Sequence, residues 1–218
     1  VDSLPVVYAG NDTTLCNQPI PINLSGLPSG GIWTGTNITS SGDFTPSGTA
    51  LGVGLFENIY TYTDSNGCIN SDTMNINVIN PTNADAGPDF QVCVDTGSIQ
   101  LTGTPTGGVW AWNTISTSGL YIVTTSDTLD FEYSFGSGNC LTKDTVRVII
   151  NDLPVVYAGN DTSFCVDAGM QSFTGNYATS TWSGTATTSS GDFDPSIAGV
   201  GTHTLYNHYT DSNTCYNI

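Results

Sequence analysis

Six cysteines are the residues of this sequence with the clearest capacity for chemistry. Zinc sites usually bring cysteines in C-x-x-C pairs with histidines nearby, whereas this chain has no such pair and only two histidines. Disulfide bonds are therefore the preferred interpretation, and they indicate a compartment outside the cytoplasm. The cysteines follow one another along the chain as Cys16 and Cys68, Cys93 and Cys140, and Cys165 and Cys215.

The other groups that catalysis needs are sparse. A nucleophile requires a base, and a hydrolytic centre requires paired carboxylates or a metal with an open position. His203 and His208 are five residues apart on a predicted strand, so their side chains are expected on opposite faces. No motif places an acid beside them. The sequence therefore predicts a segment that is not an enzyme.

Aspartates near the predicted repeat boundaries and turns raise the possibility of calcium. Calcium prefers several hard oxygen ligands, which carboxylates and the carbonyls of Gly/Asn loops supply. No stretch matches the twelve-residue EF-hand pattern, and Asp also forms turns without any metal, which is the favoured interpretation. No other cofactor is implied. The candidate calcium ligands are Asp12, Asp89, Asp161, Asp192 and Asp194.

An aromatic pair raises the possibility of sugar binding. Trp112 lies two residues after Trp110, on the same face of a predicted strand, and Tyr121 follows close by. An exposed pair would stack on a sugar ring. The favoured interpretation is instead that the larger ring of Trp112 fills the core of the second repeat.

The charge balance excludes two classes of partner. The chain has 2 basic and 19 acidic residues, for a net charge of −17. Because binding a phosphate backbone requires cations, nucleic acid and anionic membrane surfaces are not expected partners. No apolar run approaches the 18 residues of a membrane span.

The elements that position these residues are repeated three times. "PVVYAGNDTTLC" ending at Cys16 returns as "PVVYAGNDTSFC" ending at Cys165, with a diverged copy ending at Cys93. A tryptophan follows 17 residues after each of these cysteines. We therefore predict repeat 1 over residues 1–80, repeat 2 over 81–151 and repeat 3 over 152–218. The three tryptophans are predicted to be core residues: Trp33, Trp110 and Trp182.

Each repeat is predicted to be a small immunoglobulin-like β-sandwich. Strand-like alternation is frequent, as in Met74, Ile76 and Val78, and Asn66-Gly67 suits a hairpin turn. Helical periodicity is absent. Six or seven short strands with one tryptophan are typical of this all-β fold. With two cysteines per repeat, the sequence predicts one disulfide in each, namely Cys16–Cys68, Cys93–Cys140 and Cys165–Cys215.

The linkers and the third repeat give two further expectations. Proline-containing linkers of a few residues cannot act as flexible coils, so the repeats are expected to form a semi-rigid rod. Only three residues follow Cys215, whereas repeat 1 continues for eleven residues after Cys68 to Ile79. Repeat 3 is therefore expected to lack its closing strand, to be completed either by a continuing chain or by a neighbouring subunit.

The repeat pattern resembles that of a known group of surface modules. Repeat 1 reads A-G-x-D-x-x-x-C, L-x-G, G-G-x-W-x-G, S-G-x-F and Y-T-Y-T-D-x-x-G-C between Ala9 and Cys68. This resembles the Ig-like or PKD-like tandem modules of large cell-surface adhesins from the Bacteroidota. Repeat 2 departs from the pattern at Trp112, and repeat 3 lacks the glycine pair before Trp182.

The resemblance implies a location, a class of function and a modification. Such modules are exported by the type IX system, lie at the cell surface and serve gliding or attachment as stalk units. The family also carries O-glycans on Ser or Thr after Asp, and the matching positions are Ser3, Thr13, Thr73, Thr128 and Thr145.

A non-catalytic stalk or adhesin segment, secreted or at the cell surface, is the function that the sequence favours. Its expected partners are neighbouring repeats of the same polypeptide, surface glycans or other copies in a filament. Two alternatives stay open: carbohydrate-binding accessory modules of a secreted enzyme, and a strand-donating subunit of a surface filament.

Overall fold

The computed structural model describes residues 2–46 and 52–218. Strands dominate it, so the predicted all-β class is confirmed. The chain forms two compact units whose boundaries differ from those of the three repeats. Unit 1 contains Val1–Asp85, Thr104–Gly108 and Ser134–Asp144, and unit 2 contains Ala86–Gly103, Val109–Tyr133 and Thr145–Ile218.

Repeat 1 forms two small sheets. One sheet has the strand order β1-β6-β5-β3 and the other pairs β2 with β4. The strands are β1 (Thr13–Cys16), β2 (Ile22–Asn23), β3 (Ile32–Gly35), β4 (Asp43–Phe44), β5 (Gly54–Thr63) and β6 (Ile69–Ile79).

The long hairpin of β5 and β6 is the centre of repeat 1. Its turn is the predicted one, since Asp64 Oδ1 accepts hydrogen bonds from the backbone N–H groups of Asn66 at 2.9 Å and Cys68 at 2.8 Å. Gly67 in this turn has a φ of 81°, which glycine adopts without steric cost. On β6, Met74, Ile76 and Val78 are buried as their alternation predicts.

The core of repeat 1 lies between its two sheets. The ring of Trp33 is 3% exposed and its centroid lies 5.0 Å from that of Tyr60. Phe44 of the small sheet contacts Phe56 of the large sheet with ring centroids 5.9 Å apart. Trp110 and Trp182 are 4% and 6% exposed, so all three tryptophans are core residues as predicted.

Strand β1 runs parallel to β6, the closing strand of its own repeat. The register places Thr13 opposite Ile76 and Cys16 opposite Ile79. Asp12 fixes this register, because its Oδ1 accepts a hydrogen bond from the backbone N–H of Asn75 at 2.8 Å. Cys16 therefore lies where β6 ends.

Repeat 2 has the same arrangement of strands. One sheet has the order β7-β12-β11-β9, and β8 pairs with β10. Its first strand is again parallel to its closing strand, with Cys93 opposite Asn151. The strands are β7 (Phe90–Cys93), β8 (Ser98–Gln100), β9 (Val109–Ala111), β10 (Leu120–Ile122), β11 (Asp127–Phe135) and β12 (Thr142–Asn151), with 3₁₀ turns at Val94–Thr96 and Gly138–Cys140.

Repeat 3 has a smaller sheet than the other two. Its sheets are β14-β16-β17 and β13-β15, and β17 has two residues where β6 has eleven. The described residues 162–165, which align with β1, form no strand. The elements are β13 (Gln171–Ser172), β14 (Thr181–Gly184), β15 (Asp192–Phe193), β16 (Leu205–Thr210), β17 (Tyr216–Asn217) and helix α1 (Pro195–Ala198).

Candidate functional site

The disulfides join successive repeats, and the predicted pairing within each repeat is wrong. Cys16 bonds to Cys140 within compact unit 1, with Cα atoms 5.2 Å apart. Cys93 bonds to Cys215 within compact unit 2, with Cα atoms 5.5 Å apart. In both bonds the first cysteine of one repeat meets the second cysteine of the next. Cys68 and Cys165 are free.

The parallel first strand explains why pairing within a repeat fails. Cys16 lies opposite Ile79, at the end of β6, whereas Cys68 directly precedes Ile69 at the start of the same strand. The eleven residues of β6 span ten rises of about 3.3 Å, so these ends are roughly 33 Å apart. A disulfide requires Cα atoms within about 7 Å of each other, so Cys16 and Cys68 cannot meet.

The segment before the first strand position of each repeat, which contains Pro5, Thr82 or Pro154 and is called the entry segment below, explains why the cysteine of the next repeat is within reach. The hydroxyl of Thr142, two residues after Cys140, donates to the carbonyl of Thr82 at 2.7 Å. Thr82 in turn follows three residues after the end of β6. The second cysteine of repeat 2 is thus held beside its own entry segment, where the closing strand of repeat 1 ends.

The same entry contact is present in the other two repeats. The Nδ2 group of Asn70, two residues after Cys68, donates to the carbonyl of Pro5 at 2.9 Å. The Nδ2 group of Asn217, two residues after Cys215, donates to the carbonyl of Pro154 at 2.9 Å. Every second cysteine therefore has the same position relative to the entry of its repeat.

The candidate calcium ligands hold backbone and hydroxyl groups and do not converge. Asp89 Oδ1 accepts from the backbone N–H of Arg147 at 2.8 Å, as Asp12 does from Asn75. Asp161 lies exposed on the segment that forms no strand. Among the described residues, no three or more Asp, Glu, His or Cys side chains form a group that could hold a metal ion. Calcium therefore remains a prediction for which the described residues offer no assembled site.

Asp192 and Asp194 stabilise adjoining turns of repeat 3. Hydrogen bonds from the Ser172 and Ser190 hydroxyls lower the pKa of Asp192. Asp194 caps α1 by accepting from the backbone N–H of Ser196 at 2.9 Å, and the Ser196 hydroxyl bond lowers its pKa. Both carboxylates thus serve as acceptors for local turn structure.

Trp112 is on the surface, so the interpretation that its ring fills the core is wrong. Its side chain is 53% exposed and it follows β9 at a φ of 75°. Asn113 and Thr114 also have positive φ values, 49° and 60°. Three successive left-handed residues other than glycine are rare, and this turn rotates the indole away from the strand face that Trp110 occupies. Tyr121 packs on Phe131, with ring centroids 5.1 Å apart.

A hydrogen-bonded Ser-His-Tyr row lies on repeat 3, which the sequence did not indicate. The Oγ atom of Ser183 and Nε2 of His208 are 2.5 Å apart, and Nδ1 of His208 is 2.6 Å from the hydroxyl of Tyr216. The three side chains come from neighbouring strands of one sheet. His208 lies on β16, which pairs with β14, carrying Ser183, on one side and with β17, carrying Tyr216, on the other. All three side chains lie on the outer surface of an open sheet.

Four of the five candidate glycosylation positions are exposed. These are Ser3, Thr73, Thr128 and Thr145, while Thr13 is half-buried on β1.

No helix in the described part of the chain is long and apolar enough to cross a membrane.

Comparisons with known proteins show no family for this chain. No protein-family model matches it, and a search of curated proteins finds no match. It is similar in structure to three Ig domains of titin, at 10% identity and a TM-score of 0.34, covering 81% of this chain and 77% of that one. It is also similar to Drosophila N-cadherin extracellular domains, at 13% identity and a TM-score of 0.25, covering 68% and 50%.

A third similar structure comes from a bacterial surface protein. This is a SusE-like surface-located polysaccharide-binding protein from the Bacteroides thetaiotaomicron heparin utilisation locus. The identity is 12%, the TM-score is 0.29, and the match covers 64% of this chain. The chain spans about a third of that protein's length, since 33% of it is covered.

Proposed function

We propose that this chain is a non-catalytic spacer of an extracellular or cell-surface protein, in which disulfides brace successive repeats. The observation that carries the proposal is the pairing of Cys16 with Cys140 and of Cys93 with Cys215. Two covalent bonds between repeats are useful where the spacing of the repeats must persist under load. They also require an oxidising compartment.

The finer parts of the proposal follow from the sequence resemblance. The spacer belongs to a stalk or adhesin of the gliding-motility or attachment type, exported by the type IX system and extended as a rod. Its O-glycans are carried at the four exposed Asp-Ser/Thr positions. The net charge of −17 supports a surface that stays soluble and repels other anionic surfaces.

Stretching single molecules tests the spacer function. With both disulfides closed, force applied at the two ends bypasses most of the chain. The main extensible segment is then the stretch from Cys93 to Cys140, a sequence separation of 140 − 93 = 47. Each unfolded residue adds at most about 3.3–3.6 Å. We expect the contour length to rise roughly threefold when a reductant opens both bonds.

The control for this experiment is a Cys68→Ser, Cys165→Ser variant, which keeps both disulfides and prevents bonds between molecules. An oxidised chain that extends as far as the reduced one would contradict the proposal, because its disulfides would then not limit extension.

Glycan binding through Trp112 is the second candidate function. A half-exposed indole held by a turn of three left-handed residues is the specific observation in its favour, since exposed aromatic rings can stack on apolar sugar faces. Trp112→Ala is expected to abolish binding to a glycan array while changing the melting temperature by less than about 2 °C, as for a surface substitution.

The matched control for that experiment is Leu120→Ala, which removes another exposed apolar side chain of repeat 2. If the wild-type chain binds no glycan, or if both variants bind as it does, Trp112 is not a sugar site.

A further inference from the structure

The free cysteines Cys68 and Cys165 occupy the same repeat positions as cysteines that are bonded. Cys68 is the second cysteine of repeat 1, and its equivalents Cys140 and Cys215 are both in disulfides. Cys165 is the first cysteine of repeat 3, equivalent to Cys16 and Cys93, which are also bonded. The two free thiols are thus the two halves of one further bond of the same type.

The surroundings of Cys68 match those of its bonded equivalents. Asn70 holds the carbonyl of Pro5 as Asn217 holds that of Pro154, at 2.9 Å in both cases. The entry segment of repeat 1 is therefore in place beside Cys68, as it is beside Cys215. Cys68 differs from Cys140 and Cys215 only in having no disulfide partner among the described residues.

Cys165 is accessible to such a partner. It is exposed, whereas its equivalent Cys16 is fully buried. Its neighbours Phe164 and Val166 are 41% and 45% exposed. In repeat 1 the equivalent strand β1 lies against β6, and in repeat 3 no described strand lies there. Two exposed apolar side chains therefore flank the free thiol.

We propose that Cys165 of one copy of this chain forms a disulfide with Cys68 of a second copy, head to tail. The bond has the pattern of the two internal disulfides, from the first cysteine of one repeat to the second cysteine of the next. Because the two partners differ, the contact is heterologous and repeats without closing. Forming it converts two thiols to one disulfide and passes two electrons and two protons to an added oxidant such as oxidised glutathione. The inference rests on the disulfide pattern and not on the spacer function.

Oxidation of the purified full chain tests the inference. With oxidised glutathione, the wild type is expected to give a ladder of covalent oligomers on a non-reducing gel, and digestion should release a peptide that links Cys68 to Cys165. Cys68→Ser and Cys165→Ser should each reduce the ladder at least tenfold. An equal mixture of the two variants should give one covalent dimer and nothing larger, because each chain then contributes one end.

Three outcomes overturn the inference. One is a wild type that stays monomeric after oxidation. Another is cross-linking through Cys68–Cys68 or Cys165–Cys165 peptides in place of the mixed peptide. The third is a mixture of variants that cross-links no more than either variant alone. The stretching experiment includes the Cys68→Ser, Cys165→Ser variant as its control, and this variant cannot form the intermolecular bond. Failure of the present inference therefore leaves the test of the spacer function intact.

Discussion

Replacing Cys140 with serine is expected to destabilise compact unit 1 by about 4–5 kcal/mol in the chain-entropy description of disulfides. The bond that is lost closes a loop with a sequence separation of 124, which restricts the unfolded chain strongly. Chemical denaturation under non-reducing conditions measures this as a lower midpoint for the transition of unit 1. Cys16→Ser should give the same loss, since it removes the other half of the same bond.

Cys68→Ser is the matched control for this prediction. Cys68 is free and half-buried, so its replacement is expected to change stability by no more than about 0.5 kcal/mol. Disulfides within each repeat would give a different result. Cys68→Ser would then cost as much stability as Cys16→Ser, and Cys140→Ser would cost as much as Cys93→Ser. Four single variants therefore decide between the two patterns.

Local structure was predictable from the sequence because short-range chemistry determines it. The alternation of Met74, Ile76 and Val78 predicted a strand with one buried face, and all three side chains are buried. The Asn66-Gly67 turn before Cys68 was predictable for the same reason. It requires positive φ at Gly67 and a hydrogen-bond acceptor at Asp64, and both residues lie within the turn. The burial of the tryptophans followed from the size of their rings in small domains.

The disulfide pattern was not predicted because it depends on the direction in which a strand pairs. Two cysteines per repeat suggest a bond within the repeat, and nothing in the order of residues shows that β1 is parallel to β6. One signal was available: Cys16 ends the first strand of its repeat, whereas Cys68 precedes the last one. If those strands are parallel, the two cysteines must lie at opposite ends.

Trp112 was misassigned for a different reason. Strand periodicity places residues two apart on one face, but β9 ends at Ala111 and the chain turns into left-handed backbone at Trp112. Glycine is the residue that most readily adopts positive φ. Repeats 1 and 3 have Gly35 and Gly184 at this position, each ending a strand at a positive φ of 153° or 147°. The substitution by tryptophan was itself the available signal, because an aromatic residue at a glycine position cannot simply continue the strand.

Gly31→Ser is expected to destabilise repeat 1 by about 3 kcal/mol, the upper end of the usual range for overfilling a packed site. The hydroxyl of Tyr60 accepts a hydrogen bond from the backbone N–H of Gly31 at 2.7 Å and donates to the carbonyl of Pro28 at 2.6 Å. A Cβ atom at position 31 would lie 2.7 Å from that hydroxyl and 2.6 Å from the carbonyl oxygen of Thr61. The tyrosine cannot withdraw, because its ring packs against Trp33.

Repeat 3 shows how the same place accommodates serine. Ser180 occupies the position of Gly31, and the tyrosine is replaced by Asn207, which lies opposite Trp182 as Tyr60 lies opposite Trp33. The hydroxyl of Ser180 then donates to the carbonyl of Tyr177 at 2.8 Å, as the tyrosine hydroxyl does to Pro28. Serine in place of the glycine is therefore tolerated in repeat 3 because the tyrosine is also replaced, by the smaller asparagine.

Asn207 replaces the tyrosine poorly, and its substitution in repeat 3 is the reverse of the Gly31→Ser experiment in repeat 1. It is 2% exposed, and neither polar atom of its side chain has a hydrogen-bond partner; each such atom costs about 1–3 kcal/mol. Asn207→Tyr alone should destabilise repeat 3 by contact with Ser180. Combined with Ser180→Gly, it should raise stability above that of the wild type by about 2 kcal/mol. Thermal denaturation of the two single variants and the double variant measures the coupling, and additive effects would show that the two positions are independent.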